Sequence, residues 1–205
     1  MYNKPIISFE GVEGSGKTTH IKNIERFLIK KRIKYLKFRE PGGTKNSEKI
    51  RRLILSNRSS FAKFTDLLLF MASRNENYQN IIKKNYRKKV ILIDRFTDST
   101  IAYQHFGMNI DIKIIKILNK FILNKIEPDF VFLNIVNKEN LINRLRARNN
   151  KNRYDKFKFI FYNKVQNGHL KLAKNKKKYI IIDSNKNIFE NKKIIINKIQ
   201  KILSQ

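Results

Sequence analysis

The chain of 205 residues has no cysteine, no tryptophan and only 3 prolines. Without cysteine, disulfide bonds and thiolate metal sites are excluded. No apolar run approaches the roughly 20 residues that a membrane-spanning helix needs. The first strand-like run begins at Pro5, so we expect no signal peptide before it. We therefore expect a cytoplasmic protein without a membrane partner.

Acidic residues are also scarce, because 16 Asp and Glu stand against 46 Lys and Arg and give a net charge of +30. Basic surfaces bind nucleic acids through counterion release, so a nucleic-acid-binding protein is one interpretation. Lysine, asparagine and isoleucine are nevertheless frequent along the whole chain, including residues 110–124, a predicted helix with one face in the core. This pattern favours a composition bias with a solvated surface, and no specific nucleic-acid partner.

Apolar runs typical of buried strands alternate with helical patterns along the chain. The predicted strands are residues 5–9, 34–39, 90–93, 130–135 and 179–182. The predicted helices are residues 17–31, 47–55, 64–86, 110–124, 138–148, 156–174 and 189–203. This alternation predicts an α/β fold, a doubly wound five-stranded parallel sheet flanked by helices, and residues 1–205 form one domain. Ligands bind such sheets at the carboxyl ends of the strands.

The octet Gly11-Val12-Glu13-Gly14-Ser15-Gly16-Lys17-Thr18 follows the first strand and has the pattern G-x-x-x-x-G-K-[ST]. A glycine-rich turn between a strand and a helix directs backbone N–H groups at phosphates, whereas a chance glycine turn is the alternative. Lys17 can reach the β- and γ-phosphates, and the Thr18 hydroxyl can ligate Mg²⁺. The predicted ATP-binding residues are Gly11, Glu13, Gly14, Ser15, Gly16, Lys17, Thr18 and Thr19.

Two further segments carry charged groups suited to phosphate chemistry. Asp94 and Arg95 follow the third strand, where an acid can orient Mg²⁺ and an arginine can hold a phosphate. A strand-end ion pair is the alternative, although adjacent side chains on a strand point to opposite faces. Arg144 and Arg148 lie one helical turn apart and Arg153 follows, which fits phosphate recognition and a solvated helix end equally well.

Other classes of protein fit the sequence poorly. A GTPase needs D-x-x-G and N-K-x-D motifs, but no aspartate has a glycine three residues later, and residues 124–127 read NKIE. The 3 histidines are too scattered for a metal cluster. A small phosphate-loop domain with an arginine-rich segment late in the chain indicates a phosphoryl transferase with a small acceptor.

Several motifs, in order and nearly end to end, resemble the bacterial-type thymidylate kinases, a family of P-loop nucleoside monophosphate kinases. The motifs are FEGVEGSGKTT at 9–19, REPGGT at 39–44, EKIR at 48–51, LFMASR at 69–74, DRF at 94–96 and STIAYQ at 99–104. The resemblance implies Mg²⁺-dependent transfer of the ATP γ-phosphoryl group to dTMP in dTTP biosynthesis, and a homodimer. A related kinase with another nucleoside monophosphate acceptor is the alternative.

The resemblance also implies an acceptor site within residues 39–74 and 94–107. Phe70 would stack on thymine, and the alternative is a phenylalanine of the core. Arg74 would bond the base edge, and the alternative is a solvated charge on a helix. Three arginines would hold the acceptor phosphate, namely Arg39, Arg51 and Arg95. The base pocket and sugar contacts would be completed by Ser99, Thr100, Tyr103 and Gln104, for which helix capping and packing are the alternatives.

A lid over residues 144–156 is implied in the same way. Some family members carry a catalytic arginine in the phosphate loop and others in the lid; positions 12–15 here hold none, so the chain resembles the lid type. Arg153 is the first choice for contacting the transferring phosphoryl group, and Glu13 is expected near the acceptor 3′-hydroxyl. The implied catalytic residues are Lys17, Glu13, Arg95, Arg144, Arg148 and Arg153. His105 and Asn152 depart from the family pattern, which more often has glycine and an acid there.

Overall fold

The computed structural model describes residues 4–149 and 151–204. Outside the described residues lie 1–3 and 205 of the predicted domain and residue 150 of the predicted lid. Every predicted strand is present. The strands are β1 Ile6–Glu10, β2 Tyr35–Arg39, β3 Val90–Asp94, β4 Phe130–Ile135 and β5 Tyr179–Asp183. All neighbouring pairs are parallel, in the order β2-β3-β1-β4-β5. The prediction of a doubly wound parallel sheet is therefore confirmed.

Helices connect the strands and cover the sheet. They are α1 Lys17–Lys30, α2 Lys45–Leu55, α3 Lys63–Asn77, α4 Lys83–Asn85, α5 Thr97–Thr100, α6 Ile112–Leu123, α7 Lys138–Arg146, α8 Phe159–Ala173 and α9 Ile188–Ser204. π-helical turns lie at Tyr78–Ile82 and Ile101–Gly107, and a 3₁₀ turn lies at Arg153–Lys156. Within the described part of the chain, no helix has the length and apolar character needed to cross a membrane.

Every predicted helix differs from the structure by at least one residue, and in three of them the difference coincides with a turn or a cap. The predicted helix 64–86 is interrupted after Asn77 by a π-helical turn. The predicted helix 110–124 begins at Ile112, because the Asp111 carboxylate accepts a 2.8 Å hydrogen bond from the N–H of Lys113 and caps it. The predicted helix 156–174 begins at Phe159, after the 3₁₀ turn.

The helical segment that runs from Thr97 to Gly107 was not predicted. Its second half is π-helical, and the wider turn departs from the 3.6-residue period that reveals an α-helix in a sequence. His105 lies inside this segment, where its ring nitrogen Nδ1 is 2.8 Å from the carbonyl oxygen of Ile110. The histidine at the family's glycine position is therefore accommodated within a continuous helical turn.

The core explains why the strands are continuous apolar runs. Ile7 and Phe9 pack with side chains of α1 and α9 on one face of the sheet. Ile6 and Ile91 pack with Leu123 of α6 on the opposite face. Burial of apolar surface on both faces drives this layered arrangement. It leaves the carboxyl edge of the sheet, where β1, β2 and β3 end, free to form a site.

Candidate active site

The phosphate loop joins β1, the central strand, to α1. Gly11 has a φ of 130°, and a Cβ there would lie 2.3 Å from the carbonyl oxygen of Asn134, so only glycine fits. The Lys17 ammonium turns back over the loop and donates to the carbonyl oxygens of Gly11 and Val12 at 3.0 and 2.8 Å. Burial and the charge of Arg95 lower the pKa of Lys17 to about 8. The loop therefore presents a helix N-terminus and a buried cation at one point.

The structure brings together the two residues predicted to hold a metal ion. The Thr18 hydroxyl lies 3.4 Å from Oδ2 of Asp94. Among the described residues, no group of three or more His, Cys, Asp or Glu side chains could hold a metal by itself. A hydroxyl and a single carboxylate beside a phosphate loop fit Mg²⁺, which is commonly bound through one or two carboxylates and the phosphates of the substrate.

Arg95 connects the end of β3 to the phosphate loop. Its guanidinium donates to the carbonyl oxygen of Gly11 at 2.8 Å and to Glu13 at 3.0 Å, so Arg95 pairs with Glu13 and not with its neighbour Asp94. The Tyr103 hydroxyl donates to the other carboxylate oxygen of Glu13. Burial acts to raise the pKa of Glu13, but Arg95 and other partners outweigh it and leave that pKa below its usual range.

Two cavities meet at the phosphate loop. The first cavity, of about 380 Å³, is lined by every predicted substrate-binding residue: Arg39, Arg51, Phe70, Arg74, Arg95, Ser99, Thr100, Tyr103 and Gln104. The second cavity, of about 450 Å³, lies between the phosphate loop and α9 and is lined by His20, Ser184 and Asn191 among others. Both cavities share Gly14, Lys17, Thr18 and Arg144. A donor in one cavity would therefore meet an acceptor in the other at these four residues.

Two polar side chains of the first cavity, Arg74 and Gln104, differ in whether protein groups satisfy their hydrogen bonds. Arg74 is 1% exposed and donates to Glu40, Thr100 and Asn119 at 2.7–2.9 Å, so the interpretation as a solvated charge is wrong. The Gln104 side chain is fully buried, and its amide oxygen and nitrogen have no hydrogen-bond partner in the described protein. An unpaired buried amide is costly unless a ligand satisfies it. Gln104 is therefore the better placed of the two to bond a ligand in this cavity.

Arg39 and Arg51 bring positive charge to the wall of the first cavity. Arg39 donates to Glu48 at 3.3 Å, and Arg51 donates to the carbonyl oxygen of Pro41 at 2.6 Å. Burial and the charge of Arg39 lower the pKa of Arg51 to about 10. With Arg95, these two guanidinium groups form a cluster that an anionic ligand would stabilise.

The three lid arginines lie in three different places. Arg144 donates to the carbonyl oxygens of Gly14 and Ser184 at 3.0 and 2.7 Å and lines both cavities. Arg148 pairs with Asp155 at 2.7 Å and lines the first cavity. Arg153 pairs with Asp66 and is outside the described lining of both cavities. Arg153, which the sequence analysis favoured for contacting the transferring phosphoryl group, therefore lies away from the junction of the cavities in this conformation.

Two residues that support the site, Ser184 and Glu10, were missed in the sequence. Ser184 follows β5, far from any motif, yet its hydroxyl donates to the carbonyl oxygen of Ser15 at 2.7 Å and accepts from Asn134 at 3.1 Å. Glu10 accepts a 2.8 Å bond from the N–H of Phe96, and burial together with Asp98 raises its pKa to about 8. An acidic residue at the end of a buried strand could have indicated the role of Glu10.

A parallel sheet, a phosphate loop after its central strand and two cavities that meet at this loop define a P-loop kinase with a small acceptor. The family model described as Thymidylate kinase matches residues 9–195. The chain therefore belongs to the thymidylate kinase family and is a phosphotransferase, as predicted.

Individual relatives agree with the family assignment. The chain is 40% identical to the thymidylate kinase of Thermosipho africanus over 94% of this chain and 97% of the relative. It is 40% identical to that of Mycoplasma capricolum over 89% of this chain and 88% of the relative. A crystal structure of thymidylate kinase from Ehrlichia chaffeensis superimposes with a TM-score of 0.77 at 31% identity, covering 96% of this chain and 98% of that chain.

Proposed function

We propose that the protein transfers the γ-phosphoryl group of ATP to dTMP and forms ADP and dTDP for dTTP synthesis in the cytoplasm. The junction of the two cavities at Lys17 and Arg144 is the observation that carries this proposal. Phosphoryl transfer requires the attacking and leaving oxygens to align through one phosphorus atom, so the two nucleotide sites must adjoin. ATP would occupy the second cavity and dTMP the first.

Within the first cavity, each part of dTMP meets groups of suitable chemistry. The three arginines Arg39, Arg51 and Arg95 neutralise its phosphate. Glu13 accepts a hydrogen bond from the 3′-hydroxyl, and Tyr103 crowds the position of a 2′-hydroxyl. Phe70 stacks on thymine, while the free amide of Gln104 can accept from N3–H and donate to O4 of the base. Ser99 and Thr100 complete the wall of the base pocket.

Catalysis rests on position and charge, without a covalent intermediate. Lys17 and Arg144 line the junction of the cavities and stabilise the charge that develops on the transferring phosphoryl group. Arg148, which lines the first cavity, adds a further cation. We assign the leading role among the lid arginines to Arg144, because it reaches both cavities.

Thr18 and Asp94 are the residues that would hold Mg²⁺. When bound, this ion neutralises the charge of the donor phosphates. Asp94 also lines the first cavity.

One apolar surface supports the homodimer that the family resemblance implies. Phe121 and Ile117 on α6 are 87% and 66% exposed, and Phe64 and Leu68 on α3 are 48% and 45% exposed. The two helices pack side by side through Leu67 and Ile115. Apolar patches of this kind mark interaction surfaces. We propose that the same surface of a second copy covers it in a symmetric dimer.

A coupled assay with dTMP, dUMP, dGMP, dCMP and AMP tests the proposed function. We expect dTMP to have the highest kcat/KM. A preference of more than about tenfold for another monophosphate would assign the first cavity to that acceptor. Salt-dependent nucleic-acid binding without ATP turnover would instead support the interpretation drawn from the net charge of +30.

A further inference from the structure

Asp66 joins the lid to the helix on the other side of the first cavity. It lies in the first turn of α3 and is 1% exposed. Its carboxylate accepts hydrogen bonds from the guanidinium of Arg153 and from the hydroxyl of Tyr154. Arg153 also donates to the carbonyl oxygen of Ile54 at the end of α2. Two consecutive lid side chains therefore converge on one buried carboxylate.

The position of Tyr154 determines the shape of the first cavity. Tyr154 is 4% exposed, lines this cavity and contacts Phe70 and Tyr103 edge-on, with ring centroids 6.2 and 6.0 Å apart. Burial and the charge of Asp66 raise the pKa of Tyr154 well above 10, so its hydroxyl remains a donor. The Tyr162 hydroxyl donates a 2.7 Å hydrogen bond to the carbonyl oxygen of Tyr154. Displacement of Tyr154 would open the wall formed with Phe70 and Tyr103.

We propose that Asp66 is a positioning residue that fastens the lid over the acceptor nucleoside through Arg153 and Tyr154. In this arrangement Arg153 anchors the lid, and Arg144 supplies the cation at the junction of the cavities. The inference rests on the proposed dTMP kinase activity for its kinetic test. The pair is largely removed from water, with side-chain exposures of 17% for Arg153 and 2% for Asp66. Removal of either partner leaves the other charge buried and unpaired, so the lid opens.

The variant Asp66→Asn keeps the size of the side chain and removes its charge. We expect KM for dTMP to rise about tenfold, because this is the effect of losing one charge-assisted hydrogen bond. KM for ATP should change less than about twofold. Arg153→Gln should have the same effect, and the double variant should be no worse than either single variant. Glu76→Gln, a matched change on the same helix outside both cavities, should leave both KM values unchanged.

Limited trypsin digestion provides a measurement that does not depend on activity. We expect Asp66→Asn to accelerate cleavage after Lys151, Arg153 and Lys156, and dTMP to slow cleavage in the wild-type protein. If the wild-type protein does not phosphorylate dTMP, the proposed function fails, and the cleavage rates still decide whether Asp66 fastens the lid.

Two results would overturn the inference. One is an Asp66→Asn variant with unchanged KM for dTMP and unchanged trypsin cleavage. The other is an Arg153→Gln variant in which kcat falls while KM for dTMP and the cleavage of the remaining sites stay constant, because Arg153 would then contact the phosphoryl group. If circular dichroism shows that Asp66→Asn does not fold, Arg153→Gln and Arg153→Lys decide. We expect Arg153→Lys to raise KM for dTMP less than Arg153→Gln does, because lysine keeps the positive charge.

Discussion

Arg95 donates to Glu13 at 3.0 Å and to the carbonyl oxygen of Gly11 at 2.8 Å, so a residue at the end of β3 holds the phosphate loop. The same guanidinium lies over the ring of Tyr103, 5.1 Å from its centroid. Tyr103 in turn donates to Glu13. One side chain therefore ties the loop that binds the donor phosphates to the wall of the first cavity.

The variant Arg95→Ala should lower kcat/KM for dTMP about 100-fold or more. It removes a phosphate-binding cation and leaves the Glu13 carboxylate buried without its ion-pair partner. Steady-state kinetics with varied dTMP measures the loss. Arg87→Ala, which removes an arginine from the surface ion pair with Asp129, serves as the control and should change kcat/KM less than about twofold. A similar loss in both variants would contradict the assigned role.

The variant Arg144→Ala should lower kcat about 100- to 1,000-fold and change KM for dTMP little, because its cation acts mainly on the charge of the transition state. Arg146→Ala is the matched control, since Arg146 lies on the same helix and is outside both cavities. Rapid-quench measurement of a single turnover separates the chemical step from product release. A raised KM with normal kcat would place Arg144 in binding only.

Removal of Mg²⁺ with EDTA should abolish the kinase activity. Asp94→Asn should raise the Mg²⁺ concentration needed for half-maximal activity about tenfold, because an amide replaces a charged oxygen ligand beside Thr18. Asp111→Asn is the control, since asparagine also caps the start of α6. An unchanged Mg²⁺ titration of Asp94→Asn would show that other groups hold the ion.

Glu10 should make stability depend on pH. Burial and the neighbouring Asp98 raise its pKa from 4.5 to about 8, so the folded state binds the proton more tightly than the unfolded state. The stabilisation is complete below pH 4.5 and is lost as the pH rises through 8. We expect the wild-type protein to lose about 3 kcal/mol more than Glu10→Gln between pH 5 and pH 8. Urea unfolding at both pH values measures this difference, and equal slopes would contradict it.

The proposed dimer surface on α3 and α6 should be sensitive to charge. Phe121→Asp should convert the dimer to monomer in sedimentation velocity experiments, because a buried unpaired carboxylate is costly. Phe189→Asp is the matched control, since Phe189 on α9 is 71% exposed and Phe121 is 87% exposed. A wild-type monomer, or an unaffected Phe121→Asp dimer, would exclude this surface.

Local patterns in the sequence predicted most of the fold. Most strands are short, largely apolar runs, β2 with its Lys37 and Arg39 being the exception, and the predicted bounds of β4 match the structure. The segment Ile101–Gly107 was missed because a π-helix lacks the period that identifies helices. The glycines of the phosphate loop are a local signal as well, since Gly11 has a φ of 130°, a backbone conformation that residues with a side chain rarely adopt. These features depend on neighbours in the chain, so the sequence displays them directly.

The order of the strands and of most helices, the phosphate loop and the charged residues available to the site can all be read from the sequence. Which partner each charge has depends on the folding of distant segments against one another. Arg144 reaches Gly14 and Arg153 reaches Asp66, contacts between residues 130 and 87 positions apart. Three arginines in one short segment look alike in a sequence. Their distances to the cavities depend on how the lid packs against α3 and the phosphate loop, and no local pattern encodes that packing.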